Sequence, residues 1–133
     1  MTEKNSYMLI FRGNDWHKGL SAEEMQKVSG AWMDWFKGLM EKGIAITGNP
    51  LEPRGKIVSG AAGRAVDGPF AESKEAIGGY FLLKVSGMDE AVEIAQNCPG
   101  LPYGVKVEVR PVMGECPMIA EARANAQLAE ATA

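Results

Sequence analysis

An α+β sandwich, with one four-stranded antiparallel sheet and two helices on a single face, follows from two observations in the 133-residue sequence. Short apolar runs bounded by turn residues recur at 7–11, 44–47, 80–85 and 105–110, the pattern of strands. Segments with apolar residues at three- and four-residue steps follow the first and third of these runs, the pattern of amphipathic helices. The order is therefore strand, long helix, strand, hairpin excursion, strand, helix, strand. Two βαβ-like halves of this kind build a ferredoxin-like sandwich.

The first run, Tyr7-Met8-Leu9-Ile10-Phe11, is closed by Arg12-Gly13-Asn14-Asp15. It does not alternate with polar residues, so both faces of this strand are expected to be covered. Ser21-Ala22-Glu23-Glu24 has capping-box spacing, in which serine and glutamate satisfy each other's backbone N–H groups. Met25, Val28, Trp32, Trp35, Phe36 and Leu39 then form one helical stripe, ended at Lys42-Gly43 by a residue suited to a left-handed turn. Met33 and Met40 lie off that stripe, so the apolar surface is wider than one sheet face requires. Trp32 and Trp35 read either as core or as the wall of a pocket for a planar molecule.

Residues 44–47 form a second strand, stopped by Gly48-Asn49-Pro50, and residues 56–58 start a third. Gly60-Ala61-Ala62-Gly63 is a hairpin tip with 64–66 returning from it, and Asp67-Gly68-Pro69 fits a tight turn. The run at 80–85 is again apolar on both faces for most of its length. Ser86-Gly87-Met88-Asp89 caps a shorter helix carrying Ala91, Val92, Ile94 and Ala95. The last strand alternates, with Val105, Val107 and Val109 opposite Lys106, Glu108 and Arg110. Residues 1–113 thus form the domain, and 114–133 are an alanine-rich tail expected to be a frayed helix.

Two helices cover one face of such a sheet only, yet two of its strands are apolar on both. The uncovered face calls for a second copy packed sheet to sheet about a two-fold axis. Partners of other kinds are disfavoured. A net charge of −3 and a pI near 5.2 give no basic face for nucleic acid. The N-terminus lacks a signal peptide's apolar core and no run is long enough to span a bilayer, so a cytoplasmic protein is expected. Cys98 and Cys116 lie far apart, and His17 is the one histidine, too few soft ligands for a zinc site. No cofactor is indicated, since neither G-x-G-x-x-G nor a Walker A lysine occurs.

The candidate site residues cluster around one stretch. Asp67 reads either as a turn cap or as a rigidly held carboxylate at a strand end, able to serve as a base or to orient a ligand. Glu72 and Lys74 follow it closely. Gly78-Gly79 leaves backbone N–H groups open to an anion or carbonyl oxygen, or marks a bulge. Arg110 reads as a salt-bridge partner of Glu108, Asp67 or Glu72, or as a ligand-binding cation. His17, beside Trp16 in the first loop, reads as an exposed loop residue or a proton carrier.

Asp67-Gly68-Pro69-Phe70-Ala71-Glu72-Ser73-Lys74-Glu75 and Gly78-Gly79-Tyr80-Phe81 resemble the signature of the DGPF branch of the YCII-related proteins. Gly48-Asn49-Pro50-Leu51-Glu52-Pro53 and Val107-Glu108-Val109-Arg110-Pro111 agree with it, and the likeness runs from about Tyr7 to Val112. It implies a dimeric α/β barrel, and some distant relatives are enzymes using a His–Asp pair on small, often aromatic molecules. Counting back from Gly43, the position of their helix histidine is Trp32 here, which cannot transfer protons. The resemblance says little about activity, and the leading expectation is a homodimer binding a small aromatic or keto-acid ligand between the long helix and the Asp67 stretch, with Trp32 as wall and Asp67, with Glu72 or Lys74, as the polar end. The alternatives are a small lyase, isomerase or dehydrochlorinase-like enzyme with Asp67 as general base and His17 as its partner, or a regulator of an extracytoplasmic-function sigma factor.

Overall fold

The computed structural model describes residues 5–13, 16–52, 54–68, 77–114 and 116–132. In chain order the elements are β1 (Asn5–Arg12), α1 (Ala22–Glu41), β2 (Ala45–Pro50), β3 (Gly55–Ser59), β4 (Arg64–Gly68), β5 (Ile77–Val85), α2 (Met88–Ala95), β6 (Lys106–Pro111) and α3 (Pro117–Thr132). The main sheet runs β2-β5-β1-β6, every neighbouring pair antiparallel. This is the strand order of a ferredoxin-like α+β sandwich. Among the described residues, the strands β3 and β4 pair with each other as a separate two-stranded sheet.

Successive side chains in a strand point to opposite faces, and burial follows that period. Tyr7, Leu9 and Phe11 of β1 and Phe81, Leu83 and Val85 of β5 are buried, with Leu9, Leu83 and Val85 fully shielded. Val28 and Leu39 of α1 and Ala91 and Ala95 of α2 are buried with them. Among the described residues, no helix packs on the other face of the sheet in the single chain. There Met8 stands opposite Leu82 and Ile10 opposite Tyr80, all four only half-buried.

Charge borders that open face. The register sets Arg110 beside Met8 and Glu108 beside Ile10. Arg12 Nε donates to Glu108 Oε1 at 2.8 Å, and Arg110 Nη1 donates to Glu108 Oε2 at 3.1 Å. The Arg12 hydrogen bond, then that of Arg110, holds the Glu108 carboxyl below its usual 4.5. A carboxyl with a depressed folded pKa stabilises the fold above its unfolded value and loses that contribution as pH falls through the folded one. Glu108→Gln is therefore expected to lower stability at neutral pH. In urea melts the gap to the unsubstituted protein should close as the pH drops well below 4.5.

The helix starts differ from each other. Ser21 caps α1 as its spacing predicts: Glu24 N–H donates to Ser21 Oγ at 3.1 Å and Ser21 N–H to Glu24 Oε1 at 3.2 Å. Gly43, with φ 74°, supplies the left-handed residue after α1. The cap of α2 is not the expected one, because Gly87 holds the cap position without a side chain. Instead Glu90 reaches back, accepting from Ser86 N–H at 2.9 Å and Ser86 Oγ at 2.6 Å.

Two strands run further than their apolar cores. The Gly48-Asn49-Pro50 segment, expected to stop β2, continues it to Pro50. β2 lies at the edge of the sheet, where a proline's missing N–H is tolerated. Asp67-Gly68, expected as a tight turn, belongs to β4 instead. Lys56 pairs across with Asp67 and Gly55 with Gly68. A bulge interrupts β2 between Ala45 and Thr47, and the opposite edge strand, β6, also ends on proline, Pro111.

Candidate functional site

The site grows from the Trp32 ring. α1 carries it over the sheet, where Phe11 meets it edge-on at 5.2 Å and Trp35 at 6.0 Å between ring centroids. Behind it stands Gly100. A Cβ at Gly100 would sit 2.6 Å from Trp32 Cζ3 and 2.7 Å from Val105 Cγ2, closer than such carbons ever approach. Glycine is what lets the indole seat. Nearby Cys98 is buried, and burial pushes its thiol up to about 11 against the opposing backbone hydrogen bonds of Gly100 and Leu101. Cys98 belongs to the buried core.

The front face of Trp32 is covered by Trp16, stacked at 5.8 Å with the planes 21° apart. Trp16 lies in the loop between β1 and α1, beside Tyr103 at 6.0 Å and with His17 edge-on at 5.6 Å. The floor is Phe81, packed at 4.8 Å on Phe11, 4.5 Å on Phe36 and 5.1 Å on Trp35. Gly48 of β2 lies directly against it. A Cβ there would come within 2.5 Å of Phe81 Cδ1 and 2.8 Å of the Tyr80 carbonyl oxygen.

Between these rings, the Val28–Phe36 face of α1 and the Gly48–Leu51 segment lies a cavity of about 660 Å³. That volume suits a small organic molecule. Among the described residues its lining contains no Asp, Glu, Lys or Arg, and His17 and Tyr80 are its titratable members. Ser29 and Asn49 add polar atoms. Also among the described residues, no three His, Cys, Asp or Glu side chains group to hold a metal ion. The arrangement can stack and enclose a ring. Among the described residues it offers no fixed charge.

The sequence candidates separate. Trp32 and His17 both line the cavity. Asp67 is absent from that lining: it sits on β4, 90% exposed, with Lys56 Nζ 2.8 Å from its Oδ1. The reason is that β4 pairs with β3 alone, which turns Asp67 toward its cross-strand lysine and solvent. Among the described residues, Asp67 and Trp32 do not line the same cavity. Arg110 is exposed and held by Glu108, the salt-bridge reading. Glu72 and Lys74 lie outside the described residues.

Several contributors carried no role in the sequence reading. In the sequence Trp16 stands only as a neighbour of His17, and Phe81 only as part of a strand and of the Gly78-Gly79-Tyr80-Phe81 signature. The Gly78-Gly79 pair did signal a close approach, but of a different kind. What approaches is the backbone of β2: a Cβ at Gly79 would lie 3.0 Å from Asn49 O, and Leu51 N–H donates to Gly78 O at 2.8 Å.

Residues 6–118 match the model of the YCII-related domain. The chain belongs to the YCII-related family. The ferredoxin-like sheet order is thus joined by a match over most of this YCII-related chain. It is also 40% identical over 48 residues to an uncharacterised protein of Rhizobium meliloti (strain 1021), an alignment covering 35% of this chain and 39% of that protein. Among the described residues, no helix is long and apolar enough to cross a membrane.

Proposed function

We propose that this YCII-related protein, of the DGPF branch by its Asp67-Gly68-Pro69-Phe70 sequence, is a homodimer that binds a small flat aromatic molecule against Trp32. The observation that carries the reading is the 660 Å³ cavity, walled by Trp16, Trp32, Phe36 and Phe81. Keto acids fit less well than uncharged aromatics, because a carboxylate entering an apolar site needs a cation or donors around it. No lysine or arginine lines the cavity among the described residues. The homodimer is supported by the open sheet face, whose apolar centre and charged border match the anatomy of an association surface.

Thermal-shift screening of small aromatics and keto acids tests this. A ligand at a hundred times its Kd adds about 2.7 kcal/mol to the folded state. Ser29→Trp, an exposed helix position on the cavity lining, is expected to fill the space and abolish the shift. Asp67→Asn is expected to leave it unchanged. A shift lost in Asp67→Asn and kept in Ser29→Trp would move the site to the hairpin and favour the lyase or isomerase reading.

A further inference from the structure

Trp32 and Trp16 are held very differently. Trp32 lies on α1, with Phe11 and Trp35 meeting it nearly at right angles and the side-chain-free Gly100 at its Cζ3 edge, where even a methyl group would clash at 2.6 Å. Its front is covered by Trp16, which comes from a loop, is half-buried, and meets Trp32, Tyr103 and His17 as ring against ring. Trp16 also packs against the buried core, but it is carried by a loop, whereas Trp32 is carried by α1. Both indoles line the cavity.

We infer that Trp16 and Trp32 form a parting pair that takes a flat, uncharged ring system between them, with Trp32 the fixed plate and Trp16 the moving one. This rests on the reading of the cavity as a binding site and adds a ligand geometry to it. Stacked carbon atoms pack at about 3.5 Å, so a ring with an indole on each side needs the plates about 7 Å apart. The present pair is nearly parallel, with centroids at 5.8 Å, so the slot opens when Trp16 moves outward from Trp32 while keeping its orientation. Parallel rings select flatness, because a saturated ring of equal size cannot approach both plates. The absence of Asp, Glu, Lys and Arg among the described lining residues selects against charge. Trp16 is on this view a specificity-determining residue rather than a core residue.

Calorimetric titration with naphthol, decahydronaphthol and naphthoate separates the claims. Naphthol is expected to bind and to change the near-ultraviolet circular dichroism of the stacked tryptophans. The non-flat decahydronaphthol and the charged naphthoate are each expected to bind about tenfold more weakly or worse. Trp16→Leu keeps apolar bulk but removes the plate, and should weaken naphthol about fivefold, while Trp16→Phe should stay within about twofold. If naphthol and decahydronaphthol bind alike, the cavity remains a binding site and the slot is refuted. Tighter naphthol binding by Trp16→Leu makes Trp16 a plug and refutes the slot equally. Failure of all three probes to bind removes the slot together with the binding reading beneath it.

Discussion

Alanine at Gly48 is expected to lower the melting temperature, whereas alanine at Gly30 raises it. At Gly48 the added carbon meets Phe81 Cδ1 at 2.5 Å, Tyr80 O at 2.8 Å and Phe36 Cε1 at 3.1 Å. Two of these are rings packed on each other and the third is backbone of the neighbouring strand, so neither side yields easily. Overpacking of this kind costs about 1–3 kcal/mol, on the order of 5–10 °C for a domain of this size. Because the displaced rings form the cavity floor, ligand affinity should fall as well. Gly30 lies in α1 with nothing within 4 Å of its added carbon. There the same change is worth about 0.5–1 kcal/mol in the stabilising direction. Thermal melts of the two variants check both signs, and a neutral Gly48→Ala would mean that Phe81 is free to move.

Lysine at position 82 is expected to turn a dimer into a folded monomer. Leu82 is half-buried at the middle of the open face, between Met8 of β1 and Thr47 of β2. In a two-fold association each substitution appears twice, and an unpaired buried charge costs about 2–5 kcal/mol or more. That loss is enough to weaken association by more than about a hundredfold. Sedimentation should show the unsubstituted protein as a dimer and Leu82→Lys as a monomer with unchanged far-ultraviolet circular dichroism. A stable monomer of the unsubstituted protein at micromolar concentration would sink the dimer proposal.

The fold was legible because its strands and main helix carry strong period signals. The Tyr7–Phe11 and Tyr80–Val85 runs, the Ser21 box and the α1 stripe each point to one local structure, and the sheet order follows from their sequence. The β2 extension was less legible. Its residues, Gly48-Asn49-Pro50, are turn-formers by propensity, and tertiary contact with Phe81 overrides that preference. Asp67-Gly68 failed for a related reason, since cross-strand pairing with Lys56 and Gly55 outweighed the turn tendency of the dipeptide.

The cavity was half legible. Trp32 and the off-stripe Met33, now at the cavity's edge, announced an apolar surface broader than the sheet needs. Nothing in local sequence says that Trp16, sixteen residues before Trp32, stacks upon it. That contact depends on where the β1–α1 loop crosses the helix, a long-range geometric fact with no periodic signature.

The prolines closing β2 and β6 carry a consequence for how copies assemble. A bare strand edge is a template for adding further strands without limit. Here one edge carries a bulge and Pro50, and the other carries Lys106, Arg110 and Pro111. Lateral growth of the sheet is blocked at both margins. In the proposed homodimer the broad face is the one that associates, and face-to-face pairing about a two-fold axis is closed, so that assembly would end at two chains instead of propagating into a fibre.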